Sequence, residues 1–409
     1  MNTQRHDLRY QSRGVSAGKQ EVHDAITRQD EGLFPGAFCK IVPDDLTGDA
    51  DTCLVMHADG AGTKASLAYL ASREMSLDTS GAPTLALTWV GIAQDSLVMN
   101  LDDIACVGSL GPFLISNTIG RNAKLIPGEV IAAIVNGYQA VCDQLAKFNI
   151  PCRMTGGETA DVGDLVRTII VDSTVIARLR RDRVIDAGRM APGDVIVGFS
   201  STGQAAWETR PNSGIGSNGL TSARHDLLGG DYRSKYPETY APEIRQSLVY
   251  CGPYKLTDPL PGDSMTVGQA LLSPTRTYLP LIKRLIETIP RTDLHGLIHC
   301  SGGGQSKIVK FGGRGRKNGN RYVKDNLFPV PPLFAAIQQA TGMGWAEMYS
   351  VYNMGHRLEA IVPSHVIDQC LAAARDCNID AQVVGRVESR DEPGNEVVVK
   401  SPHGTFQYR

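Results

Sequence analysis

The chain has little of what would mark several large classes of protein. Its net charge at pH 7 is −2 in 409 residues, so no broad positive field coats nucleic acid or an anionic membrane, and any phosphate-bearing partner has to be held at a local site. The nine cysteines contain no C-x-x-C pair and no cysteine–histidine spacing suited to a zinc cage, so they read as reduced thiols. The first sixteen residues are polar, without the apolar run of a secretory signal, and no segment reaches the roughly 18 apolar residues of a membrane span. A cytoplasmic protein with no nucleic-acid or membrane partner is the expectation. The G-x-x-x-x-G-K-[ST] spacing is also absent, which disfavours a P-loop nucleotide hydrolase.

What is present is an ordinary globular mixture, 42% hydrophobic and 21% charged, in a chain long enough for two domains. Strands and helices do not alternate with βαβ regularity, which favours α+β over a doubly wound parallel sheet. Leu54 to Met56 reads as a strand breaking at His57, followed by a tight loop to Lys64 and a helix from Ala65 to Ala71. Val130, Ile131, Ile134, Val135, Tyr138, Val141, Cys142 and Leu145 recur at three- and four-residue steps behind Pro127, which predicts a helix with one face on a sheet. Arg167 to Leu179 reads as one strand or a bent pair. The turn-forming Ala191-Pro192-Gly193-Asp194 precedes the apolar Val195 to Phe199, and the domains divide as 1–185 and 186–409. Beyond that point a helix is expected over Tyr278 to Ile289, another from Ser364 to Cys377 with Ser364 as N-cap, and strands at Leu297 to His299, Ala381 to Val387 and Glu396 to Lys400. Gly229 to Asp263 and the basic, glycine-rich Phe311 to Asp325 read as mobile surface elaborations.

Four constellations carry chemistry. Asp59-Gly60-Ala61-Gly62-Thr63-Lys64 combines glycines that let backbone N–H groups approach an anion, a hydroxyl, a point charge for phosphate and a carboxylate for magnesium. It is equally readable as a structural turn. Asn100-Leu101-Asp102-Asp103 places hard oxygen ligands after Leu97 to Met99, at what reads as a strand end; a solvated turn or cap is the alternative. Thr155-Gly156-Gly157-Glu158-Thr159-Ala160-Asp161 brings further carboxylates beside glycines. Three separated acidic loops suggest one metal–nucleotide site, because such side chains repel unless a cation lies between them. His299-Cys300-Ser301-Gly302-Gly303-Gly304 offers unhindered amides as an anion cradle, with Gly216-Ser217-Asn218-Gly219 a second loop of that type. His299 reads either as a proton carrier or as a satisfied structural residue.

Taken in order, these segments resemble the aminoimidazole ribonucleotide synthetase family. The family's D-G-V-G-T-K corresponds to Asp59 to Lys64, its N-D to Asp102-Asp103, and its G-G-E-T-A-E to Gly156 to Asp161. Its S-N-G corresponds to Ser217 to Gly219, its A-P-T-R-x-Y to Ser273 to Tyr278, its H-I-T-G-G-G to His299 to Gly304, and its E-M-Y-x-x-F-N-x-G to Glu347 to Gly355. The resemblance implies two α+β domains, the first dimerising through its sheet to make a homodimer. It also implies ring closure of formylglycinamidine ribonucleotide with ATP and magnesium. On that resemblance Asp59, Asp103 and Glu158 serve the magnesium, with Asp161 a weaker candidate, and Gly60, Gly62, Thr63 and Lys64 serve the nucleotide. Ser217, Asn218, Gly302, Gly303 and Gly304 face the substrate, and His299, Lys64 and Asp103 are the catalytic candidates. Three departures leave single roles open: Gly216 replaces the usual histidine, Asp102 replaces the usual asparagine, and the usual asparagine after the triple glycine is missing, with Lys307 nearby. Two alternatives accompany this reading, a non-catalytic purine-nucleotide-binding regulatory homologue and another ATP-dependent enzyme of the same superfamily.

Overall fold

A computed structural model describes residues 8–15, 20–26, 28–75, 84–313 and 318–409. Two sheets organise them. The first contains β1 (Ile41–Pro43), β2 (Thr52–Gly60), β3 (Phe113–Arg121), β4 (Cys152–Asp161) and β5 (Ile169–Arg180), in the order β1-β2-β5-β3-β4. The second contains β6 (Val195–Ser200), β7 (Gly296–His299), β8 (Asn320–Lys324), β9 (His356–Val362), β10 (Ala381–Ser389), β11 (Glu396–Ser401) and β12 (Gly404–Tyr408), in the order β12-β11-β8-β10-β6-β9-β7. Among the described residues β3–β4 and β8–β11 are parallel and the other ladders antiparallel, an α+β arrangement. The expected division after residue 185 falls between β5 and β6.

Period-two patterning builds the first layer. In β5, Val171, Ser173, Val175, Ala177 and Leu179 are buried, while Ile170, Arg178 and Arg180 on the other face are exposed. The helices Thr84–Ala105 and Gly128–Ala146 cover the inner face. They approach closely because Gly137 has no side chain: a Cβ there would lie 2.9 Å from Ala93 Cβ. The outer face carries the exposed apolar side chains Met56, Leu114 and Ile170.

The periodic helix behind Pro127 is Gly128–Ala146, with Pro127 at its N-cap. Several other expectations are corrected. β2 does not break at His57 but pairs with β5 as far as Gly60. Asn100-Leu101-Asp102-Asp103 is not a strand end but the last part of the long helix Thr84–Ala105, whose flanking residues are apolar all round because sheet and second domain both cover it. Thr155 to Asp161 is not a loop but most of β4, where Gly157 leaves room for Asn117 of β3. Ser364 does not cap a helix; it opens a 3-10 turn, and the helix Ile367–Asp376 follows without a side-chain cap. Gly229 to Asp263 is not a loose excursion, since Tyr232, Tyr236, Tyr240 and Tyr250 are buried in it and pack ring on ring. The basic segment Phe311 to Asp325 contains β8, flanked by β10 and β11, and its residues 314–317 lie outside the described residues. Among the described residues no helix is long and apolar enough to cross a membrane.

Candidate active site between the two domains

The carboxylates of the helix Thr84–Ala105 receive the second domain. Asp95 and Asp102 are seven residues apart and so lie on one helical face, and both are fully buried. Asp95 accepts from Lys64 Nζ at 2.9 Å and from the backbone N–H and hydroxyl of Thr275 at 2.7 and 2.6 Å. Asp102 accepts from the Thr277 hydroxyl at 2.7 Å and the Tyr278 N–H at 2.8 Å; burial raises its pKa, opposed by the charge of His299 and by these hydrogen bonds. Arg276, between those threonines, donates to Glu208 and to the carbonyls of Ser200, Thr202 and Gly203. Ser273 to Tyr278 is therefore a strap of charge-assisted bonds between domains. Asp95 is not among the residues the sequence singled out; an acid seven positions before Asp102, and so on the same helical face, was the available signal.

Lys64 belongs to the same junction. Its side chain is fully buried, and its ammonium donates to Asp95, to the Gly216 carbonyl at 3.2 Å and to the Ser273 carbonyl at 2.5 Å. Those acceptors use its three hydrogens, so the side chain expected on nucleotide phosphates instead ties the first domain to the Gly216 loop. Gly216 itself has φ +67°, and a Cβ there would lie 2.4 Å from Arg357 Nη1. The guanidinium of Arg357 thus fills the space a side chain at 216 would need, stacked over the Tyr278 ring at 5.7 Å and donating to the Arg276 carbonyl.

Asp103 and His299 meet across the same junction. Asp103 Oδ1 accepts from His299 Nδ1 at 2.6 Å, and Asp103 Oδ2 lies 3.5 Å from His57 Nε2. His57 Nδ1 in turn contacts Asn100 Oδ1 at 2.9 Å, and the Asn100 amide donates to the carbonyls of Asp59, Ser96 and Ser173. Burial works to raise the Asp103 carboxyl, but the hydrogen bond and charge of His299, helped by Lys307 and His57, override it and hold the pKa below its ordinary value. An ionised carboxylate accepts the Nδ1 proton as a hydrogen bond, so the second ring nitrogen, Nε2, is the one left to exchange a proton. His299 Nε2 is buried and has no hydrogen-bond partner among the described residues.

Beside this junction opens a cleft of about 560 Å³. Gly62 and Thr63 line it from the first domain, and Ser217, Asn218, Gly302 and Gly303 from the second, with Tyr10 on its wall. Thr63 and Thr221 hydroxyls bridge the domains at 2.8 Å. Gly62 and Gly303 have φ of +59° and +94°, left-handed conformations that suit glycine. Gly304 does not face the cleft; it is buried, and a Cβ there would strike the Tyr352 carbonyl at 2.4 Å. Gly60 leaves space for a carboxylate, since a Cβ there would lie 1.7 Å from Asp172 Oδ1.

The expected metal carboxylates do not converge within one chain. Asp59 pairs with Ser173 and Glu158 with Thr118, so they sit in neighbouring rows, on opposite faces of the sheet and three strands apart, roughly 14 Å. Asp103 is engaged by the two histidines, and exposed Asp161 pairs with Arg121 at 2.7 Å. Among the described residues no group of three or more His, Cys, Asp and Glu side chains is arranged to hold a metal ion. Asp172 pairs with Gly60, in the row next to Asp59 and on the opposite face of the sheet; burial and the Asp59 charge push its pKa up.

Comparison with known proteins agrees with this architecture. Residues 39–179 match the family AIR synthase related protein, N-terminal domain, and residues 191–398 the corresponding C-terminal domain. The phosphoribosylformylglycinamidine cyclo-ligase of Methanothermobacter thermautotrophicus is 30% identical over 97% of this chain and 96% of its own length. That of Methanocaldococcus jannaschii is 30% identical over 86% and 83%. Among solved structures, Thermotoga maritima PurL complexed with FGAR superposes with a TM-score of 0.54 at 16% identity, covering 98% of this chain. The chain spans about half the length of that protein, 51%, so this likeness shows the fold alone. With both domains matched in order over most of its length, the chain belongs to the AIR synthase related protein family.

Proposed function

We propose that the chain is an ATP-dependent cyclo-ligase that closes formylglycinamidine ribonucleotide to aminoimidazole ribonucleotide, as the names of its relatives suggest. The observation that carries the reading is the shared cleft: Gly62-Thr63, Ser217-Asn218 and Gly302-Gly303, distant in sequence, line one cavity, and the Gly302-Gly303 wall follows shortly after His299 on the same loop. The reaction needs that arrangement. A formyl amide oxygen is a poor leaving group on a poor electrophile, and its phosphorylation answers both problems before the amidine nitrogen attacks the same carbon. The chain's task is to hold two phosphate-bearing ligands in register and to accept a proton as the ring closes.

The glycine backbones at Gly62 and Gly303, free of a Cβ, and the hydroxyls of Thr63 and Ser217 line the cleft and suit phosphate and ribose oxygens. His299 Nε2, oriented through Nδ1 by Asp103, is the proposed proton acceptor. Magnesium, carried in with ATP, would supply charge neutralisation, and Asp59, at the end of β2 that runs into the Gly60–Lys64 turn, is the carboxylate of this chain proposed to face it. Asp103 is reassigned from the metal to orienting His299. Glu158 lies on the outer sheet face with exposed Met56, Leu114 and Ile170, the face a homodimer would cover, and on this reading it serves a site made by two chains.

The test is phosphate release from ATP with magnesium, with and without formylglycinamidine ribonucleotide, alongside direct detection of aminoimidazole ribonucleotide. Substrate-dependent release matched by product supports the cyclo-ligase. Nucleotide binding without turnover would sink it in favour of a regulatory homologue.

A further inference from the structure

Building on the proposed cyclo-ligase site, we infer that Lys307, not Lys64, is the cation that holds a ligand phosphate at the domain junction. Lys64 has no capacity left: it is fully buried, and its three hydrogens are given to Asp95, Gly216 and Ser273. Lys307 stands in the opposite condition. It follows the glycine loop in the 3-10 turn Gly304–Lys310, and its Cα lies 3.6 Å from where a Cβ of Gly303 would be, so it backs a residue that lines the cleft.

The Lys307 side chain is half-buried, with Nζ 5.2 Å from the centre of the Phe38 ring. Among the described residues its ammonium makes neither an ion pair nor a hydrogen bond to the chain, and the ring face leaves the ammonium hydrogens without acceptors. The next residue after Phe38 is Cys39, whose thiol donates to the Asp103 carbonyl at 3.3 Å, and Asp103 holds His299. The charge of Lys307 is felt at the proposed catalytic pair: it helps to lower the pKa of Asp103, and it opposes the burial that raises the thiols of Cys39 and Cys300. A half-buried ammonium with no direct ion pair among the described residues carries a desolvation cost that a contacting anion would relieve, and a phosphate oxygen gives it a charge-assisted bond. Phe38 then acts as a rest for the side chain between ligands, and its stacking on Phe311 at 5.0 Å keeps that rest in place.

The phosphate could be the nucleotide's or the phosphate monoester of the substrate, and the test separates them. Lys307→Met and Lys307→Arg are compared with wild type in calorimetric binding of ADP with magnesium and of ribose 5-phosphate, in the two KM values, and in melting temperature. We expect Lys307→Met to weaken binding of one of the two ligands about tenfold or more, with the matching KM rising and the melting temperature unchanged, and Lys307→Arg to retain most of the affinity. The ligand that weakens identifies the phosphate. Both affinities within twofold of wild type in Lys307→Met, or equal loss in the methionine and arginine variants, would overturn the inference. Should the methionine variant not fold, Lys307→Gln carries the same comparison. Because the binding arm needs no turnover, absence of product from the wild type would count against the cyclo-ligase and leave the assignment of Lys307 separately decided.

Discussion

Asp103 Oδ1 lies 2.6 Å from His299 Nδ1, although the two residues are 196 positions apart and belong to different domains. The contact joins the two domains through one buried pair, and the proposed chemistry needs both halves of it. It also fixes which imidazole nitrogen is free, since an ionised carboxylate accepts the Nδ1 proton and leaves Nε2 to exchange a proton.

Asp103→Asn should therefore lower kcat by about 10- to 100-fold, because an amide holds the imidazole tautomer poorly, while the magnesium concentration for half-maximal activity stays within twofold. Steady-state kinetics at varied magnesium checks this. A large rise in the magnesium requirement would return Asp103 to the metal.

Lys64→Met should act on stability before it acts on nucleotide affinity. Removing one partner of a buried pair leaves Asp95 uncompensated, at a cost of about 3–5 kcal/mol. Chemical denaturation reads the loss, and refolded variant should bind ADP close to wild-type strength.

Gly216→Ala meets two obstacles, a left-handed backbone and the Arg357 guanidinium. Most of the expected loss, about 1–3 kcal/mol, comes from the backbone, since the guanidinium can shift. The double variant Gly216→Ala with Arg357→Ala should recover little of it in thermal unfolding; near-complete recovery would assign the cost to the guanidinium instead.

Stability should fall in two stages on acidification. His225 and His356 are pushed below the ordinary histidine value of 6.5, chiefly by burial, His225 to about 2. The unfolded chain then binds protons there that the folded chain refuses, so stability declines as pH falls below 6.5. Glu359 is buried, which alone would raise it, but Lys324 and His356 hold it at about 2 against an ordinary 4.5. Its contribution is complete above 4.5 and lost as pH falls towards 2. Equilibrium unfolding across pH checks both stages, and Glu359→Gln should flatten the lower one.

Met56→Asp combined with Leu114→Asp should convert a homodimer to monomer in sedimentation velocity while the far-ultraviolet spectrum stays native, because both side chains are exposed on the outer sheet face. A monomeric wild type would end the dimer reading and the shared role of Glu158.

By itself the sequence determined the elements whose causes are local. Apolar periodicity marks Gly128–Ala146, Val195 to Phe199 and Ala381 to Val387, and glycines mark the turns at Gly62, Gly216 to Gly219 and Gly303. The ordered motifs also made the family legible. Where local cues misled, burial from outside was the reason: Asn100 to Asp103 looks like an acidic terminus until a second domain covers it, and Gly156 to Asp161 looks like a loop until β3 pairs with it. Only the tertiary structure decided the partners. Lys64 reads as a phosphate cation in sequence because nothing local satisfies it; its acceptors Asp95 and Ser273 are 31 and 209 residues away. The same holds for Asp103 with His299, and for the unpaired Lys307, whose freedom shows only once the chain has folded around it. Spacing along a chain constrains side chains within a turn or a strand pair, whereas which buried charges meet across two domains follows from how two sheets and their covering helices pack.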